Sequence, residues 1–322
     1  MIFKPIIVVA GEPNSIFSEI FLKSINYKKF KSPIILIASL DLIKLQMKKL
    51  KMNKKIRLVN FVNLKNSQLD NSKINLINVN FSQKKPFDKI SYKSNEYIKK
   101  SFDVALKILN EKITNKFING PVSKKFFLKK KYLGITEYLA HKTKAKNFAM
   151  LIYNKNLSVC PITTHLPIKK ISKKINKSMI KQKIQLIDTF FKKYFKQKPK
   201  MAITGLNPHC ETVDAFNEDE KIIEPAVKSL IKSNCRVSGP FAADTIFMKK
   251  NRKKYNVIIG MYHDQVLTPM KTLFEYDAIN ITLGLPFLRI SPDHGPNEKM
   301  IGKNLSNPQS LVKALIFLDT KL

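Results

Sequence analysis

Apolar residues follow two rhythms along the chain. Short unbroken apolar runs, which read as buried strands, cover Pro5–Ala10, Pro33–Ala38, Ile74–Val79, Phe117–Asn119, Phe148–Tyr153, Leu157–Thr163, Met201–Gly205, Val257–Met261 and Ala278–Leu283. Between them, apolar residues recur at three- and four-residue steps, predicting helices over Ser15–Asn26, Leu40–Leu50, Asn95–Glu111, Ser172–Phe195, Glu218–Ser233 and Gln309–Leu318. The clearest is Ser172–Phe195, where Ile175, Met179, Ile180, Ile184, Ile187 and Phe191 share one face and lysines crowd the other. Ser172 is placed to cap it. Strands alternating with helices predict an α/β fold with a mostly parallel sheet. The polar stretches Lys51–Lys73 and Ser82–Lys93 read as surface excursions, with room for a short edge strand at Ile56–Val62.

With 322 residues, 44% of them hydrophobic, the chain can bury a large core, which excludes general disorder. No run approaches the roughly 18 apolar residues of a membrane span, and MIFKPIIVVAGEPN reads as a first buried strand rather than a signal peptide. Cys160, Cys210 and Cys235 are far apart with no CxxC pair, which argues against a disulfide framework and for a cytoplasmic location. The net charge of +36 raises nucleic-acid binding, yet only Arg57, Arg236, Arg252 and Arg289 among the 59 basic residues are arginines. Readers of nucleic acid favour arginine for bidentate and stacked contacts. The dispersed lysines read instead as solvated faces, and the sign of the charge favours small anionic substrates.

Several nucleotide and hydrolase motifs are missing. The nine glycines are never two apart, so GxGxxG cannot occur, and there is no P-loop, GxSxG elbow or HExxH. A nicotinamide cofactor would need another scaffold.

Three of the five histidines share one context: His165 in LSVCPITTHLP, His209 in MAITGLNPHCE and His263 in NVIIGMYHDQ each follow a strand-like run. Parallel strands place their carboxyl ends along one edge, so the three could meet there. Three imidazoles leave a fourth position open on a zinc-like ion, with Glu211 and Asp264 near enough in sequence to orient them. The plainer reading is three loop or cap residues, and spacing alone does not choose. In Asn119–Lys124 a strand leads to a turn or to a helix start that offers N–H groups to an anion. Thr136 is a cap or a ligand contact, and Arg289, before Ser291-Pro292-Asp293-His294-Gly295, is an ion-pair partner or a phosphate clamp.

Taken together, NGPVSK (119–124), GITEYLA (134–140), TTHLP (163–167), GLNPHCE (205–211), GPFAADT (239–245), YHDQ (262–265) and INITLGLPFLRISPDHG (279–295) resemble the 4-hydroxythreonine-4-phosphate dehydrogenase family, PdxA. The resemblance implies two α/β/α domains with a central cleft, similar to the isocitrate and isopropylmalate dehydrogenases. Residues 1–130 and 285–322 would form one domain and 131–284 the other. It implies NAD- or NADP-dependent oxidation and decarboxylation of 4-phosphohydroxy-L-threonine to 3-amino-2-oxopropyl phosphate, in pyridoxine 5'-phosphate biosynthesis. A sister activity on 4-phosphothreonate or 4-phosphoerythronate is the alternative. It further implies one divalent ion per subunit (Zn, Mg or Co) on His165, His209 and His263, and a homodimer with its active site at the subunit interface. By the same likeness Thr136, Lys271, Asn280 and Arg289 bind substrate, while Lys271, Asp244 and Asp264 are the catalytic candidates.

This sequence departs from the family at Ile135, where Gly-His-Thr-Glu becomes Gly134-Ile135-Thr136-Glu137. An isoleucine donates no hydrogen bond, and a lost charge-assisted contact costs ~1.5–3 kcal/mol unless Lys124, Lys130 or Lys131 substitutes. A second departure is Asp293-His294-Gly295-Pro296-Asn297, where the family has Thr-Ala after the glycine.

Overall fold

The computed structural model describes residues 3–61, 64, 69–129, 131–275, 277–292 and 295–320. Lys130, Asp293 and His294, and Val62 at the end of the expected edge strand, lie outside them. The chain divides into two compact units, Met1–Thr143 with Pro286–Leu322, and Lys144–Leu285.

With elements numbered in chain order, the first unit carries strands β1 (Ile6–Val9), β2 (Ile34–Ala38), β3 (Ile56–Leu58), β4 (Ile74–Asn78), β5 (Lys116–Asn119) and β12 (Leu288–Ser291). They lie in the order β3-β4-β2-β1-β5-β12, and every pairing is parallel. Helices α1 (Phe17–Ile25), α2 (Leu40–Lys49), α3 (Asn95–Asn110), α4 (Ile135–Lys142) and α11 (Gln309–Leu318) complete this unit. Ile6, Ile7, Val8 and Val9 of β1 are all wholly buried, as an unbroken apolar strand covered on both faces should be. The C-terminal segment is fastened to α1 by the buried Glu19, whose Oε1 accepts from Lys23 Nζ at 2.9 Å and from the Ser306 amide at 2.5 Å.

The second unit carries β6 (Ala149–Tyr153), β7 (Ser158–Thr163), β8 (Met201–Thr204), β9 (Val237–Phe241), β10 (Val257–Tyr262) and β11 (Ile279–Leu283), in the order β11-β6-β7-β10-β8-β9. β6 runs antiparallel to both β11 and β7, whereas β7, β10, β8 and β9 are mutually parallel. The carboxyl ends of β7, β10 and β8 therefore share one edge. The helices here are α5 (Ile171–Lys174), α6 (Lys177–Phe195), α7 (Glu224–Lys232), α8 (Ala243–Ile246), α9 (Lys249–Arg252) and α10 (His263–Phe274). Among the described residues no helix is long and apolar enough to cross a membrane.

Several expectations need correcting. The helix expected over Ser172–Phe195 is broken: α5 ends where Ile175 turns extended, and Asn176 rather than Ser172 caps the long helix, its side chain accepting from the Met179 amide at 2.9 Å. Asparagine competes well for such a cap, and that divides one periodic run into two helices. β9, β12, α8, α9 and α10 were not expected. β9 contains Ser-Gly-Pro, tolerable because it lies at the edge of its sheet. α10 carries Pro269 in its interior, which ordinarily breaks a helix.

Lys116 in β5 is fully buried, its Nζ donating to Ser32 Oγ at 3.1 Å and to the Thr320 carbonyl at 2.5 Å. Desolvation pushes its ammonium down to about 8, with Asp319 opposing. The unfolded chain, with a lysine near 10.4, binds the proton more tightly, so unfolding takes up a proton between these values and stability rises with pH across the window. The wild-type stability minus that of Lys116→Met, from urea unfolding, is expected to grow by about 2 kcal/mol between pH 7.5 and 10. A difference that stays flat would mean that Lys116 keeps an ordinary affinity for its proton.

Candidate active site

In the first unit the candidate site is built around a guanidinium. Arg289 is the second residue of β12 and stands opposite Phe117 of β5. Side chains two residues apart on a strand share a face, so its long side chain meets Asn119 at the carboxyl end of β5. Its Nε donates to Asn119 Oδ1 at 2.8 Å and its Nη1 to Thr136 Oγ1 at 3.0 Å. Asn119 is itself oriented by its Nδ2, which donates to the Gly120 carbonyl at 2.8 Å. Arg289 has no solvent exposure, and burial pushes its pKa down to about 10 while the charge of Glu137 opposes the shift. A guanidinium that far down still holds its proton at neutral pH.

Thr136 is the second residue of α4, with Gly134 in the cap position, so it does not act as the N-cap. Because its oxygen accepts from a cation, its own hydroxyl proton is directed to another acceptor, a useful disposition toward an anion. Ile135, half-buried, opens the same helix. Lys124 and Lys131 are both exposed, and Lys131 lies over the Tyr132 ring at 5.8 Å. The Asn119–Lys124 segment does not open a helix. The Ser123 hydroxyl accepts from the Phe126 amide at 3.2 Å and its carbonyl takes Phe127 and Leu128, so the segment closes into turns.

In the second unit His165, His209 and His263 follow β7, β8 and β10, the three parallel strands whose carboxyl ends share an edge. His165 and His209 adopt left-handed backbone at φ 52° and 56°. Non-glycine residues pay for that conformation, and it concentrates at functional sites. The His165 and His263 rings have centroids 5.7 Å apart, close to the ~5 Å expected for two imidazoles on one tetrahedral ion. His263 Nδ1 meets Asp264 Oδ1 at 2.6 Å, so Nε2 is the ring nitrogen that could face a metal ion. Among the described residues of one chain, no three His, Cys, Asp or Glu side chains are grouped to hold an ion. The donor chemistry of the His165–His263 pair suits a divalent cation, and His209 is not gathered to it within the chain.

A cleft of about 660 Å³ beside His263 is lined by Asp244, Tyr262, Asp264, Gln265, Thr268 and Thr272, which brings the two acidic candidates into one place. Lys271, further along α10, is half-buried, and that burial pushes its ammonium below the usual lysine range. Asn280 in β11 holds a buried Oδ1 with no hydrogen-bond partner, the kind of polar atom that a ligand satisfies.

Two residues important to this edge were not singled out from the sequence. Gln265 Oε1 accepts from the Met261 amide at 2.6 Å and from Thr204 Oγ1 at 2.8 Å, and its Nε2 donates to the Gly205 carbonyl at 2.8 Å. One amide thus ties the β10 end that carries His263 to the β8 end that leads to His209. The buried Asp219 accepts from the Leu206 and Asn207 amides at 2.8 and 3.1 Å, fixing the base of the same loop. Gly205 is required there, since a Cβ would lie 2.6 Å from Asp219 Oδ1 and 2.7 Å from Cys210 Sγ. Gln265 closes the YHDQ motif and could have been read from it; Asp219 sits in no motif.

Residues 29–317 match the family model described as pyridoxal phosphate biosynthetic protein PdxA. The chain belongs to the PdxA family. It is 36% identical over 313 residues to the 4-hydroxythreonine-4-phosphate dehydrogenase of Sulfurihydrogenibium sp. (strain YO3AOP1), covering 96% of this chain and 95% of that protein. It is 34% identical over 181 residues to the D-threonate 4-phosphate dehydrogenase of Pectobacterium atrosepticum, covering 56% of each. Among solved structures, 4-hydroxythreonine-4-phosphate dehydrogenase from Klebsiella pneumoniae superposes with a TM-score of 0.86 at 27% identity, covering 98% of this chain and 97% of that one. The mixed α/β architecture is thus that of the PdxA family.

Proposed function

We propose that this chain is an NAD-dependent 4-hydroxythreonine-4-phosphate dehydrogenase, oxidising and decarboxylating 4-phosphohydroxy-L-threonine to 3-amino-2-oxopropyl phosphate for pyridoxine 5'-phosphate synthesis. What carries the reading is full-length similarity to a relative of that name, joined to a buried cationic cradle at Arg289 and a histidine-bearing strand edge. Similarity to a D-threonate 4-phosphate dehydrogenase keeps a sister substrate as the second reading.

In this proposal Thr136, Lys271, Asn280 and Arg289 bind the substrate, with Arg289 and Thr136 on an anionic end through charge-assisted bonds. Arg289 supplies fixed positive charge, Thr136 its redirected hydroxyl proton, and Asn280 an amide whose buried oxygen awaits the substrate amine. The substrate hydroxyl would give up its proton to a base, a bound nicotinamide would supply the hydride acceptor, and the β-keto acid so formed would lose carbon dioxide and take up a proton at carbon. Lys271 suits the base, because a lowered pKa leaves more neutral amine near physiological pH than an ordinary lysine has. Asp264 holds the His263 ring, and Asp244 faces the same cleft. His165, His209 and His263 would hold a divalent cation, Zn, Mg or Co, which when bound stabilises negative charge on a substrate oxygen. The assembly proposed is a cytoplasmic homodimer that completes this donor set at its interface. The exposed Val213 and Phe216, just after His209, suit such a contact.

His209→Ala is expected to lose bound divalent metal and at least 100-fold of NADH formation together. Full turnover of 4-phosphohydroxy-L-threonine by that variant would remove His209 from the site. Ile135→His is expected to lower the KM for this substrate about tenfold, by restoring one charge-assisted bond. A raised KM would show a pocket rebuilt around isoleucine for another ligand.

A further inference from the structure

We infer that Asn119 is the positioning residue that sets the plane of the Arg289 guanidinium for the anionic end of the substrate, which rests on the role proposed above for Arg289. Three observations converge on it. Asn119 is 2% exposed and Arg289 not at all, so their 2.8 Å bond is sheltered from competing water. The Asn119 amide cannot turn over freely, because its Nδ2 is spent on the Gly120 carbonyl, and that leaves Oδ1 as the atom facing Nε. Gly120 is itself pinned: its amide donates to the Val9 carbonyl at 2.7 Å, and a Cβ at this position would lie 2.2 Å from the Ala10 carbonyl oxygen.

Orientation therefore passes from the β1–β5 backbone pair through one side-chain amide to the guanidinium. Thr136, from α4, fixes a second point at Nη1, and two bonds on different nitrogens of a planar fork define its plane. Without Asn119 the side chain keeps its charge and its bond to Thr136 but loses the contact that fixes Nε. A phosphate or carboxylate would then meet a fork at the wrong angle, which weakens bidentate recognition more than it slows chemistry.

The chain has only four arginines, at 57, 236, 252 and 289, so ¹⁵N labelling of arginine gives a sparse set of Nε–H signals in which Arg289 is identified by its loss in Arg289→Lys. In the wild type this Nε–H is expected to exchange slowly with solvent. Asn119→Ala should speed its exchange at least ~10-fold and raise the KM for 4-phosphohydroxy-L-threonine ~10-fold or more, with kcat changed less than ~3-fold. Asn119→Ser, too short to reach Nε, should reproduce the alanine losses and serves if the alanine variant does not fold. A wild-type exchange rate in Asn119→Ala or Asn119→Ser, with KM raised in Arg289→Lys, overturns this inference alone. An unchanged KM in Arg289→Lys overturns the role of Arg289 and this inference with it.

Discussion

In a parallel sheet all carboxyl ends point the same way, and in both units of this protein the candidate chemistry gathers where they do. Asn119 ends β5, and His165, His209 and His263 follow β7, β8 and β10. Backbone hydrogen bonding holds those strand ends in register, so the turns beyond them start from fixed points even where they carry strained residues such as His165 and His209. Gln265 and Asp219 extend that register one step beyond the sheet.

Buried charge is the second organising constraint. An isolated guanidinium or ammonium in the core is costly unless its donors are met. Arg289 meets Asn119 and Thr136, and Lys116 meets Ser32 and a backbone carbonyl. Both sit in the first unit, on the paired strands β12 and β5, and both lose proton affinity through desolvation. Their roles differ: Lys116 fastens the sheet to the C-terminal segment, whereas Arg289 is turned toward α4, where the family motif begins.

Much of the fold was legible because apolar period and strand length are local properties. Every strand expected from an unbroken apolar run is present, and α11 spans the expected Gln309–Leu318. Besides the one-turn helices α8 and α9, the elements missed are those whose residues contradict local propensity and are rescued by context: the edge position of β9, the interior proline of α10, and β12 with a buried arginine. The Asn176 cap was hidden because hydrophobic periodicity continues straight through it. At the site, motifs located the histidines and Arg289, but partners that act by geometry were invisible. Nothing in the sequence links Asn119 to a residue 170 positions away, or Asp219 to the amides of Leu206 and Asn207.

Fold and family leave one chemical choice: whether the ligand carries an amine beside its hydroxyl, or a second hydroxyl. Isoleucine at 135 offers no hydrogen bond at the start of α4, where the buried Arg289 donates to the neighbouring Thr136. The direct test is kcat/KM for NADH formation by the wild-type protein, with divalent metal supplied, on 4-phosphohydroxy-L-threonine, 4-phosphothreonate and 4-phosphoerythronate in parallel. A preference of roughly tenfold or more for 4-phosphohydroxy-L-threonine is the predicted result, the scale of one charge-assisted contact. Preference for either of the amine-free substrates would contradict the account.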